Sequence, residues 1–384
     1  GVARCSAGNV DGVSPQTTLA PTPERSARWV MTDSGIFAFM RLRARAHMTA
    51  VAVLTLVVML ASVPPANAAP AVPAAGYGFS EGSSMLDLSP EDLNRELDAV
   101  AATSASWLRV LIDWSKIETA PGQYNFDAVD RIVSAAGARN LKVLGNIAFT
   151  PSWARPTLSF FTAPPDDPQD FADFSKVVAA RYGSQIRNWE IWNEPNLPLF
   201  FGFRGNNAPT YTGLLKAVYP AIKSVQPSST VIAAGLSRNL GPDSPPAFLT
   251  AMYAAGAKGA FDAAALHPYV FPDGLAVDPE NGWSDVGRFH DVMAANGDGG
   301  KKIWMTEFGA PTSAPGAQGV SQQDQARQIT DILWAASQLD YSGPAFIYSI
   351  RDLDSGAQDN REANFGALLT SDWQPKVAAS ALAR

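Results

Sequence analysis

Two glutamates, Glu194 and Glu307, stand where an apolar run of the chain stops. Asn188-Trp189-Glu190-Ile191-Trp192-Asn193-Glu194-Pro195-Asn196 is an aromatic stretch that ends in a carboxylate between an amide and a proline. The design returns 113 residues later, where Lys301-Lys302-Ile303-Trp304-Met305-Thr306-Glu307-Phe308-Gly309 stops on one glutamate before glycine. A carboxylate at the end of a buried run needs a use, and two of them point to a pair. Cleavage of a glycosidic bond requires such a pair: one carboxyl protonates the leaving oxygen, and the other attacks the sugar carbon or activates a water.

Strand periodicity says which side chains can share a face with these groups. Stepping back by two from Glu194 gives Trp192 and Glu190, and from Glu307 gives Met305 and Ile303; both sets are expected to face one interior. Trp107, Arg109, Leu111 and Asp113 share parity on an earlier run, as do His267 and Tyr269 on a later one. The pattern brings Arg109, Glu194, His267, Tyr269 and Glu307 to a single pocket. Glu190, one layer deeper than Glu194, is read as the buried partner of an arginine.

The elements that must position these residues alternate in type. Strand-like runs are expected at 77–84, 107–114, 142–149, 188–194, 230–236, 261–269, 301–307 and 345–350, with helix-like segments after each. Ser89-Pro90-Glu91-Asp92 has the serine cap, first-position proline and first-turn acids of a helix start. An Asn or Asp in 122–127 is expected to cap the second helix, and the last helix is expected over 373–383. Strands this apolar are covered on both faces. Eight such units in about 300 residues give an α/β fold, a single (β/α)8 TIM barrel with its site at the carboxyl ends of the strands. An open doubly wound sheet would carry a glycine-rich phosphate loop after its first strand, and Gly76-Tyr77-Gly78-Phe79 lacks the third glycine. Both long loops, 150–168 and 197–209, follow strands and so extend the active face.

The barrel is assigned to residues 69–384. Residues 1–39 show neither strand nor helix periodicity and are read as an artefact of the gene start. Residues 40–68 have the parts of a signal peptide: Arg41, Arg43 and Arg45, an apolar run from Ala50 to Ala61, and Ala66-Asn67-Ala68 as a cleavage site. A run of twelve residues is shorter than the ~20 needed to span a bilayer, so a secreted or envelope-associated protein without a lasting membrane span is expected. Residues 1–68 hold six of the basic and three of the acidic residues, which leaves 23 basic against 33 acidic, a net −10. That balance argues against nucleic acid as a partner. The single cysteine, Cys5, falls in the leading segment, so the barrel has no thiol chemistry.

Trp192-Asn193-Glu194-Pro195-Asn196 after the fourth strand, with Thr306-Glu307-Phe308-Gly309 after the seventh, resembles glycoside hydrolase clan A, the retaining enzymes built on (β/α)8 barrels. The resemblance implies that Glu194 is the acid/base, Glu307 the nucleophile, and Asn193 a donor to the sugar 2-hydroxyl. It implies that Tyr269 and Arg109 lie beside the nucleophile and that His267 belongs to the His-x-Tyr pattern of the sixth strand. Trp114 to Phe126 and Thr150-Pro151-Ser152-Trp153-Ala154 look closer to family 39 and related β-glycosidases than to typical family 5 cellulases. The third-strand histidine of many family 5 enzymes is absent, and the eighth strand offers Phe346 and Tyr348 where many members place a tryptophan.

An oligo- or polysaccharide is thus the expected partner, with β-linked bonds cleaved by double displacement. A hydrolase of the producer's own envelope or exopolysaccharide would use the same residues, and a silent glycan-binding barrel is the alternative of another class. Trp153, Trp283, Phe200, Phe201 and Tyr348 are candidate sugar contacts, since aromatic faces stack on pyranose C–H groups. Trp107, Trp304 and Trp334 are read as core. Asp166-Asp167 and Asp352 to Asp354 lack the spacing of a calcium loop, and neither a metal nor a cofactor is required.

Overall fold

The computed structural model describes residues 70–277 and 282–383. The segments assigned to a gene-start artefact and a signal peptide, with Cys5, lie outside the described residues. Eight strands run in chain order: β1 (Tyr77–Ser80), β2 (Trp107–Asp113), β3 (Lys142–Ala148), β4 (Ile186–Ile191), β5 (Thr230–Ser237), β6 (Ala263–His267), β7 (Ile303–Phe308) and β8 (Ser342–Tyr348). Each pairs in parallel with the next, and β8 pairs back with β1 to close a (β/α)8 barrel.

The covering helices are α1 (Pro90–Ala101), α2 (Asp127–Gly137), α3 (Pro168–Tyr182), α4 (Asn207–Val225), α5 (Pro245–Ala254), α6 (Ser284–Ala295), α7 (Gln322–Ser337) and α8 (Val377–Ala381). Their starts follow side-chain chemistry. Ser89 accepts from the Asp92 N–H ahead of Pro90, Asp167 from Gln169 N–H ahead of Pro168, and Ser321 from Asp324 N–H. Each satisfies a donor that the first turn would otherwise leave unpaired. In α1, Leu93, Leu97 and Val100 recur at helical spacing and are buried against the barrel. At α2 the cap position is Phe126, and Asn125 serves from one residue earlier by accepting from Asp127 N–H. No helix among the described residues is long and apolar enough to cross a membrane.

The inner face of the barrel is closed at its base by Trp107, Leu144, Ile232, Ala263, Ala265, Trp304 and Phe346, an apolar cluster separate from the one between strands and helices. Trp107 meets Trp304 edge-on at 5.4 Å. Two residues further along the same strands come Arg109, Asn146, His267, Thr306 and Tyr348, so the polar layer stands directly on this floor. Trp334 does not belong to the core: on α7 it is 56% exposed.

Simple alternation fails at the ends of two strands. β4 stops at Ile191, and Trp192 turns outward into the strand–helix core, where its indole meets Phe171 at 5.4 Å and Phe201 at 5.7 Å. On β7, Trp304 and Thr306 face inward while Ile303 and Met305 pack outward, yet Glu307 also turns inward. The β7–β8 register shifts between Met305 and Phe308, which accommodates two successive inward residues as a β-bulge does.

The closing helix is shorter than its apolar pattern predicts. Pro375 has no N–H to give to a helix and restricts the residue before it. Residues 349–376 instead form the loop after β8, tied down where the buried Lys376 Nζ meets Asp352 Oδ1 at 3.0 Å. That loop brings Arg361, Glu362 and Phe365 to the mouth of the barrel.

Candidate active site

Glu194 owes its position to the turn that ends β4. Trp192 and Glu194 adopt φ values of 77° and 45°, a left-handed conformation uncommon for side chains of this size. The turn is held by hydrogen bonds from several strands: Trp192 N–H gives to Ile147 O at 2.7 Å, Asn146 Nδ2 gives to Trp192 O at 2.8 Å, and Glu194 N–H gives to Gly235 O at 3.1 Å. Asn196 then pins the loop to β5, giving Nδ2 to Ser237 O at 2.7 Å and accepting from Ser237 N–H at 3.1 Å. The Trp-Asn-Glu-Pro-Asn sequence therefore codes a strained loop with its own fastenings.

Glu307 faces Glu194 across the barrel mouth. Arg109 joins three strands: its Nε gives to Glu190 Oε2 at 2.6 Å, its Nη1 to Glu307 Oε1 at 2.6 Å, and its Nη2 to Asn193 Oδ1 at 2.8 Å. Tyr269 gives its hydroxyl to Glu307 Oε2 at 3.0 Å. Burial alone would raise the Glu307 pKa. The charges of His267 and Arg109, with the bonds from Tyr269 and Arg109, outweigh it and hold this carboxyl below the ordinary range. Asn193 must present its oxygen to Arg109, because a guanidinium only donates. Its NH2 is left as the group it can offer to the cavity.

His267 stands between the carboxylates, with Nδ1 at 2.7 Å from Glu194 Oε1 and 3.5 Å from Glu307 Oε2. Burial opposes protonation of the ring, but the charge of Glu307 and the contact with Glu194 raise its pKa above the ordinary value. Behind it, Nε2 meets Thr306 Oγ1 at 3.1 Å, and Thr306 gives its hydroxyl to Glu190 Oε1 at 2.8 Å. Glu190 is fully buried and also accepts from Gly235 N–H at 2.9 Å. It is the arginine partner that its depth implied. A Cβ on Gly235 would lie 2.1 Å from His267 Nε2, so only glycine leaves room for the ring.

Glu194 and Glu307 line a cavity of about 660 Å³ at the carboxyl end of the strands, while His267, read from the sequence as a substrate contact, is buried behind them and does not line it. One oxygen each of Glu194 and Glu307 lies within 4.8 Å of the other. Retaining pairs are ~5 to 5.5 Å apart and inverting pairs ~6.5 to 9.5 Å. Arg109, Asn193, Tyr269 and Tyr348 line the cavity with them.

Trp153 does not line it. Its indole N–H gives to Glu118 O at 2.7 Å and its ring packs edge-on to Trp114 at 5.7 Å, which holds it behind the wall. Phe201 is fully buried under Trp192, and Trp283 packs against the core; of the aromatic loop candidates, Phe200 reaches the cavity. Sequence reasoning missed the roles of Thr306 and Gly235 and the contributions of Arg361, Glu362 and Phe365. The glycine could have been found only by knowing what stands opposite it.

Among the described residues, Glu194, His267 and Glu307 form the group whose donor atoms are close enough for a metal ion. Arg109, bonded to Glu307 Oε1 at 2.6 Å, places a positive charge beside this group.

The sequence model of the cellulase family, glycosyl hydrolase family 5, matches residues 72–341. No curated protein matches the chain. Among solved structures, a family 39 glycoside hydrolase from Bacteroides cellulosilyticus shares 24% identity and a TM-score of 0.62 over 81% of this chain and 64% of its own. A monomeric β-xylosidase from Caulobacter crescentus shares 20% identity and a TM-score of 0.61 over 82% of this chain and 68% of its own. Xylanase 10B from Thermotoga petrophila, solved with xylobiose, shares 17% identity and a TM-score of 0.56 over 80% and 92%. This chain thus spans 64% of the length of the Bacteroides enzyme, and the three likenesses establish the shared barrel. With 270 of its 384 residues matched by the family's own pattern, the chain belongs to glycosyl hydrolase family 5, the cellulase family, within clan A.

Proposed function

We propose that the protein is a retaining glycoside hydrolase that cleaves β-linked O-glycosidic bonds of a glycan by double displacement. The observation that carries this reading is the spacing of Glu194 and Glu307, within 4.8 Å at their nearest oxygens and oppositely furnished. Glu307, ionised under Arg109 and Tyr269, is the nucleophile. It attacks the anomeric carbon while Glu194 gives its proton to the leaving oxygen, so the glycosidic C–O bond breaks as the ester bond to Glu307 forms. Glu194, now without its proton, takes one from a water whose oxygen displaces Glu307. Two inversions return the β configuration. Asn193 offers its NH2 to the 2-hydroxyl of the bound sugar, and Tyr348 forms part of the wall against which that sugar lies. His267 orients Glu194.

The test is a panel of aryl β-glycosides and β-linked polysaccharides, with the first-formed anomer read by proton NMR. Hydrolysis with the β anomer appearing first is expected. An α anomer appearing first from a β-glycoside would overturn the mechanism, and a panel with no turnover would overturn the function. Export is part of the same reading, supported by the segment 40–68. Expression of the full chain is expected to yield a secreted product beginning near Ala69; an intact mass in the culture fluid that still contains residues 41–60 would contradict it.

A further inference from the structure

The two sides of the cavity differ in chemistry. Beside Glu307 the wall carries the hydrogen-bonding groups Tyr269, Tyr348, Gln318, Arg361 and Glu362, together with the rings of Phe271 and Phe365 packed against the two tyrosines. Beside Glu194, the loop after β4 supplies Leu197, Leu199 and Phe200, and the end of β3 supplies Phe149. Asn146 of β3, Ser237 at the end of β5 and Arg238 just after it are polar side chains that line the same side.

The apolar wall continues out of the cavity. Phe149 meets Phe161 edge-on at 5.0 Å, and the adjacent Phe160 meets Phe203 at 5.1 Å. Phe203 is folded back on the cavity-lining turn by its N–H, which gives to Pro198 O at 2.7 Å. Leu199, Phe160 and Phe203 are 55%, 60% and 56% exposed. Phe203 has a φ of 57°, a conformation that costs a bulky residue free energy, yet its ring is held in water and not in the core. A contiguous exposed apolar surface at the mouth of a site marks a binding surface.

The roles of the carboxylates decide what binds there. The group on the Glu194 side is the leaving group, because Glu194 protonates its oxygen. We propose, on the reading of Glu194 as the acid/base, that the leaving group of the substrate is an apolar aglycone of the alkyl-chain type found in glycolipids. Its chain runs from Leu197 and Phe149 over Phe161 onto the Phe160–Phe203 pair. The side chains of Phe160, Phe161 and Phe203 neither donate nor accept, so a sugar extended along this outer path gains no hydrogen bond from them. An alkyl chain loses no hydrogen bond there and gains by leaving water.

The experiment compares octyl and methyl β-glycosides of whichever sugar the aryl panel selects, below the micelle concentration of the octyl compound. The two leaving alcohols have similar acidity, so the ratio of their kcat/KM values reports contacts to the chain. A ratio of at least about tenfold in favour of octyl is expected, since burial of even two or three methylenes supplies that much. The Phe160→Ser/Phe203→Ser double variant should lose that preference while keeping wild-type kcat/KM on the methyl glycoside and an unchanged Tm. A wild-type ratio near one, or a preference that survives in the double variant, would overturn the proposal while leaving the hydrolase reading intact. Phosphatidylcholine vesicles that bind wild type and not the double variant, together with an octyl-to-methyl ratio near one, would make the patch a membrane-docking surface and likewise overturn it. If neither glycoside nor any aryl glycoside is hydrolysed, the hydrolase reading itself fails and the proposal falls with it.

Discussion

Thr306 gives its hydroxyl hydrogen to Glu190 Oε1 at 2.8 Å and therefore accepts, at 3.1 Å, from His267 Nε2. An ionised carboxylate that already accepts from Arg109 and Gly235 can only receive. His267 consequently carries hydrogen on Nε2, and the 2.7 Å contact of Nδ1 with Glu194 Oε1 has a proton between them. A buried threonine on β7, three strands from Arg109 round the barrel, thus fixes the tautomer of the ring that orients the acid/base.

Thr306→Val keeps the shape of the side chain and removes that control. Glu190 loses one donor, and His267 loses the acceptor that fixes its Nε2 hydrogen. The expected effect is a fall in kcat/KM of roughly 10- to 100-fold, the range of one buried hydrogen bond to a charged group, with a changed pH profile. Thr306→Ser should restore both. A valine variant with the wild-type profile would show that the ring takes its tautomer from Glu194 alone.

Gly235→Ala puts a methyl where His267 Nε2 and Thr306 Oγ1 now lie, 2.1 and 2.6 Å from the new carbon. The ring must move, and with it Glu194. Misplacement of this order costs on the order of 10²-fold in rate. Steady-state kinetics on an aryl glycoside and a thermal melt are the measurements, and both are expected to fall.

Glu307→Gln should abolish turnover by on the order of 10⁴-fold or more, because no nucleophile remains to trap the glycosyl unit. Retention of a tenth of the wild-type rate would shift the assignment to Glu190, the other carboxylate on Arg109.

Glu194→Ala separates the two chemical steps. A dinitrophenolate leaving group needs little proton donation, so the glycosyl-enzyme should still form while the water step, lacking its base, becomes slow. A burst of phenolate followed by a slow phase is expected. Azide should accelerate the slow phase and yield the β-glycosyl azide. An α-configured azide would contradict a covalent intermediate on Glu307.

Tyr269→Phe tests the charge state of Glu307. Burial pushes this carboxyl up, but His267, Arg109 and the Tyr269 hydroxyl hold it below the usual glutamate range. The nucleophile must be ionised, so wild-type kcat/KM should persist until the pH falls through that lowered pKa. Removal of one donor to the ionised form moves the acid limb to higher pH and lowers kcat/KM by roughly tenfold. The stability sign is the same: a depressed folded pKa contributes above the ordinary glutamate value, and the contribution is lost as the pH falls through the folded pKa. An acid limb that does not move would show that Arg109 and His267 suffice.

The barrel was legible because its code is local. Parallel strands covered on both faces must be apolar throughout, helix starts need side-chain acceptors, and Ser89, Asp167 and Ser321 supply them in sequence. Glu194 and Glu307 stood out for the same reason, as charges at the ends of apolar runs. Strand parity identified the inward faces of β2 and β6, carrying Arg109 and His267, because those strands stay regular to these residues; Tyr269 lies past the end of β6, in a turn where its N–H gives to His267 O, and still reaches Glu307. It failed at Trp192 and Met305, where a left-handed turn and a register shift redirect the side chains, and no alternation rule carries across such breaks. Trp153 and Phe201 were misplaced because aromatic residues on a loop serve equally as platform or packing. A hydrogen bond from the Trp153 indole to Glu118 O and the depth of Phe201 beneath Trp192 decide between the two. Thr306, Gly235 and the loop after β8 belong to the tertiary structure alone. Their parts depend on what lies opposite them across the barrel, and chain order does not contain that distance.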